Sequence, residues 1–348
     1  MGITEKELKK ALKEMRGIDV ELLRKDSSFR FECDMCGKCC TSSTIDSILF
    51  KPYDIYKIAK GLNIKTKEIL DKYAEFYIGG QSGFPIIRML SNNNGKCHFL
   101  KKVGNKALCG INDFKPGSCS LYPLGRAIVT NKNANENKDE QEVMYFLQDV
   151  NCGFKNKQNT VDSWLGLHRE YEEFVLKNEA YMFNKISKMI DLQELNLLFN
   201  SNSSMNDIIS RYYSAILNLY YLNYNTDIDF KTQLIKNTEK ILDSTNALAI
   251  SLYLIAKNRI KNSYEIDNTI LIDEANKIIN KILVKDFYNK YINKRRGIME
   301  QFLTDDDLLG LLEELDQEDA EIEELEFEME MEASNRRYEE IIQKHRMV

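Results

Sequence analysis

The stretch FECDMCGKCC, residues 31–40, constrains this chain more than any other. It carries four of the eight cysteines, Cys33, Cys36, Cys39 and Cys40. Thiols at three-residue intervals allow one loop to wrap around a centre with three sulfurs aimed inward. Gly37 supplies the backbone freedom such a turn needs. Loops of this spacing hold iron–sulfur clusters when a fourth ligand comes from elsewhere. Cys-x2-Cys also serves tetrahedral zinc, with a second pair from a distant segment. Spacing alone leaves both open. Cys40 adds a restriction, because two adjacent residues cannot place both sulfurs on one small ion without strain. The run therefore predicts either two centres or one larger cluster.

The remaining thiols are Cys97 in KCHFL, Cys109 in ALCGI, Cys119 in KPGSCSLYP and Cys152 in NCGF. Together the eight suffice for two four-thiolate sites, or for one cluster with supporting ligands, and all eight are the expected metal ligands. Four thiolates around Zn²⁺ or an oxidised [4Fe–4S] core leave about −2 of charge. Arg30, Lys38, Lys101, Lys102 and Arg126 stand near in sequence to offset it. Gly110, Gly117 and Gly153, each one or two residues from a cysteine, are expected to offer N–H groups to sulfur. His98 follows Cys97 directly and is expected to face away from it if the segment is a strand. No Ser-His-Asp set, P-loop or Gly-x-Gly-x-x-Gly is present.

A metal reading of the thiols presupposes a reducing compartment, and the rest of the chain points there. Residues 1–23 have no apolar core flanked by a small-residue cleavage site, and Gly2 with Lys6 is not a myristoylation pattern. The longest apolar run, near Ala247–Ala256, is too short to span a bilayer. The expectation is a cytoplasmic protein without a membrane partner, in which clustered thiols mean metal or redox chemistry rather than disulfides. Charge is uneven. Residues 305–332 hold 15 acids and no base, and 333–348 carry four bases and two acids, so the first 304 residues carry +7 against −6 for the whole. The lysines of that body are scattered, which argues against nucleic acid as a partner.

With 4 prolines and 29 % charged residues the chain favours helices. The fold expected is mainly α, with a small irregular α+β cysteine-rich metal-binding domain and a C-terminal helical domain. The expected organisation is an N-terminal helix in 1–29, the cysteine domain in 30–168, a helical domain in 169–304 and an acidic helical tail in 305–348. Apolar periodicity predicts a helix over 4–16, carrying Leu8, Leu12 and Met15, and helices at Asp54–Lys60, stopped by Gly61, and Thr66–Tyr77. Extended runs are expected at Phe29–Glu32, Pro85–Leu90, Lys96–Leu100 and Ala107–Ile111, with Ala127–Thr130 and Val143–Val150 as an antiparallel pair around a polar loop, 131–142. Asp162 is the expected cap of a helix whose stripe runs Trp164, Leu167, Tyr171, Phe174 and Val175. That helix also carries His168, read as a structural residue. Later helices are expected at Met205–Tyr221, Phe230–Leu242, Ala247–Lys261, Asn268–Val284 and Phe287–Phe302.

The order Phe31-Glu-Cys33-x2-Cys36-Gly37-x-Cys39-Cys40, a helix from about Asp54, Cys97-His-Phe99-Leu100, Cys109-Gly-Ile111, Lys115-Pro116-x2-Cys119 and Tyr122-Pro123 resembles the YkgJ family of cysteine-cluster proteins. Cys152 followed by Thr160-Val161-x2-Trp164-Leu165 is similar to how such domains end. The resemblance covers about residues 30–168 and departs at Lys115, where an Arg usually precedes the proline. It implies a zinc- or iron-chelating domain of unknown precise activity. It borders on flagellin lysine N-methylases, which implies as an alternative a cluster-dependent protein-modifying enzyme, such as a protein lysine N-methyltransferase using S-adenosylmethionine. A third reading is an interaction protein stapled by zinc. The expected partner is a protein substrate or ligand engaging the helical domain or acidic tail.

Overall fold

A computed structural model describes residues 4–16, 21–41, 45, 47–131, 140–148, 150, 152–166, 169–201, 203–262 and 269–284. The expected loop between 131 and 142 (in its 132–139 part), Leu167, His168, the 287–302 helix and the acidic tail lie outside the described residues. The chain divides into two compact units, Met1–Asn246 and Ala247–Val348.

The first unit opens with α1 (Glu5–Arg16), whose Leu8 and Leu12 are buried against Val129, Met144 and Phe146. A short strand β1 (Leu22–Leu23) leads to β2 (Ser28–Glu32), where strict alternation buries Phe29 and Phe31 and exposes their neighbours. β3 (Leu49–Phe50) precedes α2 (Pro52–Leu62). Pro52 suits the first turn because it lacks the N–H that would be unpaired there. The Asp54 carboxylate reaches back to the Lys51 N–H at 2.9 Å. α2 runs through Gly61 and ends at Asn63, which takes the left-handed conformation at φ 53°. Gly61 is needed for closeness instead: a Cβ there would stand 2.5 Å from the Phe114 ring.

The helix expected over Thr66–Tyr77 breaks in two. α3 (Thr66–Tyr73) gives way to strand β4 (Ala74–Ile78), which turns through Gly79–Gly83 and pairs with β5 (Pro85–Met89). β5 also pairs with β3, giving the order β3-β5-β4. Next come a hairpin of β6 (Leu100–Val103) and β7 (Lys106–Cys109), a 3₁₀ turn at Asn112–Phe114 and the five-residue helix α4 (Gly117–Leu121). Lys96 and Cys97 make only isolated bridges, not the expected strand. β8 (Leu124–Asn131) and β9 (Glu140–Leu147) form the expected antiparallel pair, with Ile128 opposite Val143 and β1 on the outer edge of β9.

Strand β10 (Phe154–Thr160) was not foreseen; it pairs with β2. Thr160, not Asp162, caps the short α5 (Val161–Leu165), accepting from the Ser163 N–H at 3.1 Å. Phe29, Phe31, Leu121, Leu124, Tyr145, Val161 and Leu165 make one core, with Trp164 set edge-on to both phenylalanines at 5.6 Å. α6 (Arg169–Ile186), α7 (Leu192–Phe199) and α8 (Asn206–Leu217), extended by a π turn at Asn218–Leu222, complete the unit. The segments Phe230–Leu242 and Ala247–Lys261 are one continuous helix, α9 (Phe230–Asn262). Within the second unit Arg259 pairs with Glu274 of α10 (Thr269–Lys277) at 3.1 Å.

Candidate metal centre

All eight cysteines are free thiols and lie in the first unit. Four tertiary links fix the distant ones, three of them directly onto the 31–41 stretch and the fourth onto α2. First, β2 and β10 pair so that Glu32 faces Phe154, which sets Cys33 and Asp34 beside Cys152 and Gly153. Gly153, at φ +74°, sits where a Cβ would strike the Phe31 ring and the Glu32 carbonyl. Second, the Cys97 N–H donates to the Cys40 carbonyl at 3.0 Å, next to a bridge between Thr41 and Lys96. Third, the 100–109 hairpin sets Cys109 opposite Leu100, and its Ala107 N–H donates to the Met35 carbonyl at 2.9 Å. Gly37 turns at φ +74° directly under this hairpin. Fourth, the Gly117 N–H at the start of the Cys119 helix donates to Asp54 Oδ1 at 2.7 Å.

This last link rests on a buried pair. Asp54 and Lys57 are 3 % and 6 % exposed, one helical turn apart on α2. Lys57 Nζ stands 3.2 Å from Asp54 Oδ1, off the line of a hydrogen bond, and has no other acceptor among the described residues. It also lies 5.2 Å from the centre of the Tyr53 ring.

The thiols differ in their surroundings. Cys39 and Cys40 Sγ are 3.8 Å apart. The hydrogen bond they share holds Cys39 down at about 6, with the Lys115 charge adding to the effect; the same bond, together with burial, pushes Cys40 up. Burial pushes Cys97 and Cys119 up. Lys115 is thus the base felt at Cys39, though it was not among those named from the sequence. Sulfur does receive backbone N–H groups, from Met35 to Cys33 and from Phe99 to Cys97, both at 3.4 Å. Two of the glycines expected to do this are committed elsewhere: Gly110 to the Phe99 carbonyl and Gly117 to Asp54. His98 turns its ring edgewise to Tyr73 at 5.5 Å.

Near Cys36 and Cys152 the partners are oxygen atoms. Asp34 accepts from the Cys36 N–H at 3.2 Å and from its thiol, which lowers the carboxyl's pKa. The Tyr122 hydroxyl and Cys152 Sγ share a hydrogen bond at 3.1 Å. Neither Asp34 nor Tyr122 was read from the sequence as part of a site. Among the described residues, no three Cys, His, Asp or Glu side chains are already drawn together tightly enough to grip one ion.

Residues 32–146 match the family described as "CxxCxxCC: Putative zinc- or iron-chelating domain". The matched segment is about a third of the chain, and Cys152 lies just beyond it. No curated protein and no solved structure matches the chain. The donor chemistry of the CxxCxxCC segment fits such a metal: free thiols, partly exposed, gathered from separate loops, with cations and N–H groups nearby to offset thiolate charge. Among the described residues no helix is long and apolar enough to cross a membrane.

A cleft of about 400 Å³ lies between α2 and the helices that follow. Tyr53, Tyr56, Tyr171 and Phe230 line it, with Lys60 and with Phe114 from the turn between Cys109 and Cys119. Tyr53 and Tyr171 stack at 4.4 Å and 5°.

Proposed function

We propose that this protein chelates iron, as an iron–sulfur cluster, or zinc through its clustered cysteine thiolates, and that Cys33, Cys36, Cys39, Cys40, Cys97, Cys109, Cys119 and Cys152 supply the ligands. The observation that carries the reading is the convergence itself. Backbone hydrogen bonds and strand pairs join the segments of Cys97, Cys109 and Cys152 to the 31–40 stretch, and all eight thiols are free within one unit. The thiolates would hold the metal when it is bound; the chain supplies the loop turn at Gly37, the sulfur-directed N–H groups and the Lys115 charge. The thiolates stay reduced in the cytoplasm, where we place the protein.

Metal and acid-labile sulfide analysis of anaerobically purified protein tests this. Stoichiometric iron with sulfide and a brown colour is the outcome for a cluster, and colourless protein with about two zinc ions that for zinc. Protein that retains neither metal after purification and reconstitution overturns the reading.

A second reading, a cluster-dependent protein-modifying enzyme such as a protein lysine N-methyltransferase, draws support from the aromatic cleft, whose lining includes Phe114 from the turn between Cys109 and Cys119. S-adenosylmethionine and a protein substrate held by the helical domain or acidic tail enter only under that reading. Zinc alone in the protein, or no methyl transfer from S-adenosylmethionine to a lysine-bearing protein, would remove it.

A further inference from the structure

The lysines that look scattered in the sequence are gathered at one place by the β6–β7 hairpin. Residues 89–112 hold four bases, Lys96, Lys101, Lys102 and Lys106, and no acid. Three of the four stand on this hairpin. We propose that its outer face is a docking surface for an acidic segment of a partner protein, with Lys101 and Lys106 receiving carboxylates and Val103 making the apolar contact between them. The inference goes beyond metal chelation and does not depend on it.

The register sorts the side chains. Val103 pairs with Lys106, Lys102 with Ala107 and Lys101 with Leu108, and Gly104, at φ +58°, makes the two-residue turn with Asn105. Side chains alternate along a strand, and directly opposite residues share a face. The Ala107 side chain lies against the Gly37 turn, so Lys102 shares that inner face. Lys101, Val103 and Lys106 share the outer one. The Lys101 stem is laid along Gly110, where a Cβ would stand 2.8 Å from the Lys101 Cε.

Two features of the outer face point to a partner. Its charge is uncompensated: Lys101 and Lys106 are exposed and form no ion pair among the described residues. Charges of one sign with no acid beside them raise the local potential and steer association with the opposite sign. Val103, between them, is 59 % exposed, more than any other large apolar residue described. Lysines on a strand edge by themselves guard it against self-pairing, a task that a polar residue in place of Val103 would serve better. An apolar side chain inside a cationic rim is the arrangement of an interface contact.

Spacing and position fit an extended segment. Lys101 and Val103 lie two residues apart on one strand, about 7 Å, and residues i and i+2 of an extended peptide repeat at the same distance. Such a peptide sets a carboxylate on Lys101 and an apolar side chain on Val103 together. A partner seated there stands beside the cysteine loop, because the Ala107 N–H donates to the Met35 carbonyl at 2.9 Å. Nucleic acid fits less well. The hairpin, LKKVGNKALC, has no aromatic ring to stack on a base and no arginine to grip one at two points. The chain's net charge of −6 also opposes a duplex that carries one negative charge per about 1.7 Å.

The test is fluorescence polarisation at low salt with the full-length chain. The probe is a fluorescein-labelled peptide of glutamates around a central valine; the same peptide with glutamines and an equally labelled DNA duplex are the comparisons. The glutamate peptide is expected to bind and the glutamine peptide to fail. Lys101→Glu with Lys106→Glu should weaken binding about tenfold or more, and Val103→Asp should do so independently. Lys67→Glu with Lys188→Glu makes the same change of net charge at exposed positions elsewhere and should leave the affinity within about twofold. Trp164 emission monitors folding, and metal content, measured on the same samples, judges the chelation reading separately. No binding of the glutamate peptide overturns the proposal. So does an equal loss in the Lys67 and Lys188 variant, which would reduce the effect to net charge. DNA bound about tenfold more tightly than the peptide, through the same two lysines, would replace the protein partner with nucleic acid.

Discussion

The Asp54–Lys57 pair gives the most quantitative prediction, because both charges are sealed and one of them anchors a cysteine segment. Asp54→Asn keeps the shape but removes the charge. Lys57 is then an ammonium 6 % exposed with no counter-ion and no hydrogen-bond acceptor among the described residues. At 3.2 Å the direct attraction is about 5 kcal/mol at an effective dielectric constant of about 20. Desolvation cancels most of that in the intact pair, but removal of one partner exposes the penalty of the other, typically about 3–5 kcal/mol. The amide also cannot accept from both the Lys51 and Gly117 N–H groups as the carboxylate does, at 2.9 and 2.7 Å. The expected loss is therefore about 3–5 kcal/mol for the first unit. Urea unfolding read by Trp164, the only tryptophan, reports on that unit. With a slope of about 3 kcal/mol/M, the midpoint should fall by about 1–1.7 M. Lys57→Met on top of Asp54→Asn removes the orphaned charge, so the double variant should recover about 1–3 kcal/mol relative to the sum of the single losses. Release of the Gly117 N–H should also raise the DTNB reactivity of Cys119 in the folded protein. A midpoint shift under about 0.3 M for Asp54→Asn, or strict additivity in the double variant, would refute the argument that a buried ion pair fastens the Cys119 helix.

Gly37→Ala puts a side chain at φ +74° with its Cβ 2.6 Å from the Ala107 Cβ, two short groups that cannot swing aside. The left-handed backbone alone costs about 1–2 kcal/mol, and the clash adds to it, so lower stability together with lower metal stoichiometry is expected by denaturation and metal analysis. Truncation after Thr304 should leave metal content unchanged, since every cysteine precedes it; metal loss would show that the acidic tail belongs to the metal-bearing fold.

What could be read from the sequence follows from how far each feature depends on distant partners. Helix 5–16, strand 28–32 and the β8–β9 pair carry their own periodicity, and each forms close to where that periodicity places it. β10 carries none: FKNKQNT buries chiefly Asn159, whose amide donates to the Phe31 carbonyl at 2.8 Å, so the strand exists because β2 needs a partner. The helical pattern of Thr66–Tyr77 is genuine, yet Ala74–Ile78 gains more by pairing with Pro85–Met89 across the glycine turn, and Tyr77 ends up exposed on a strand.

The same distinction governs the candidate site. The thiols are visible as residue types at a telling spacing, but the groups that would set each sulfur's chemistry are joined to them over long sequence separations: Lys115 to Cys39, Tyr122 to Cys152, Asp54 to Gly117. Lys57 shows the point most sharply. In PYDIYKIAK it reads as one more solvent-facing base on an amphipathic helix, because lysine is seldom buried without a partner. The partner is present one turn earlier, and the reason for burying both is the Gly117 N–H beyond them, which no local pattern encodes. A cysteine spacing therefore marks out candidate ligands, while the surroundings of each thiol depend on which chain segments hydrogen bonds bring beside it. The Cys97 N–H on the Cys40 carbonyl and the Tyr122 hydroxyl on the Cys152 sulfur are two such contacts, and the three-residue rhythm of the loop encodes neither.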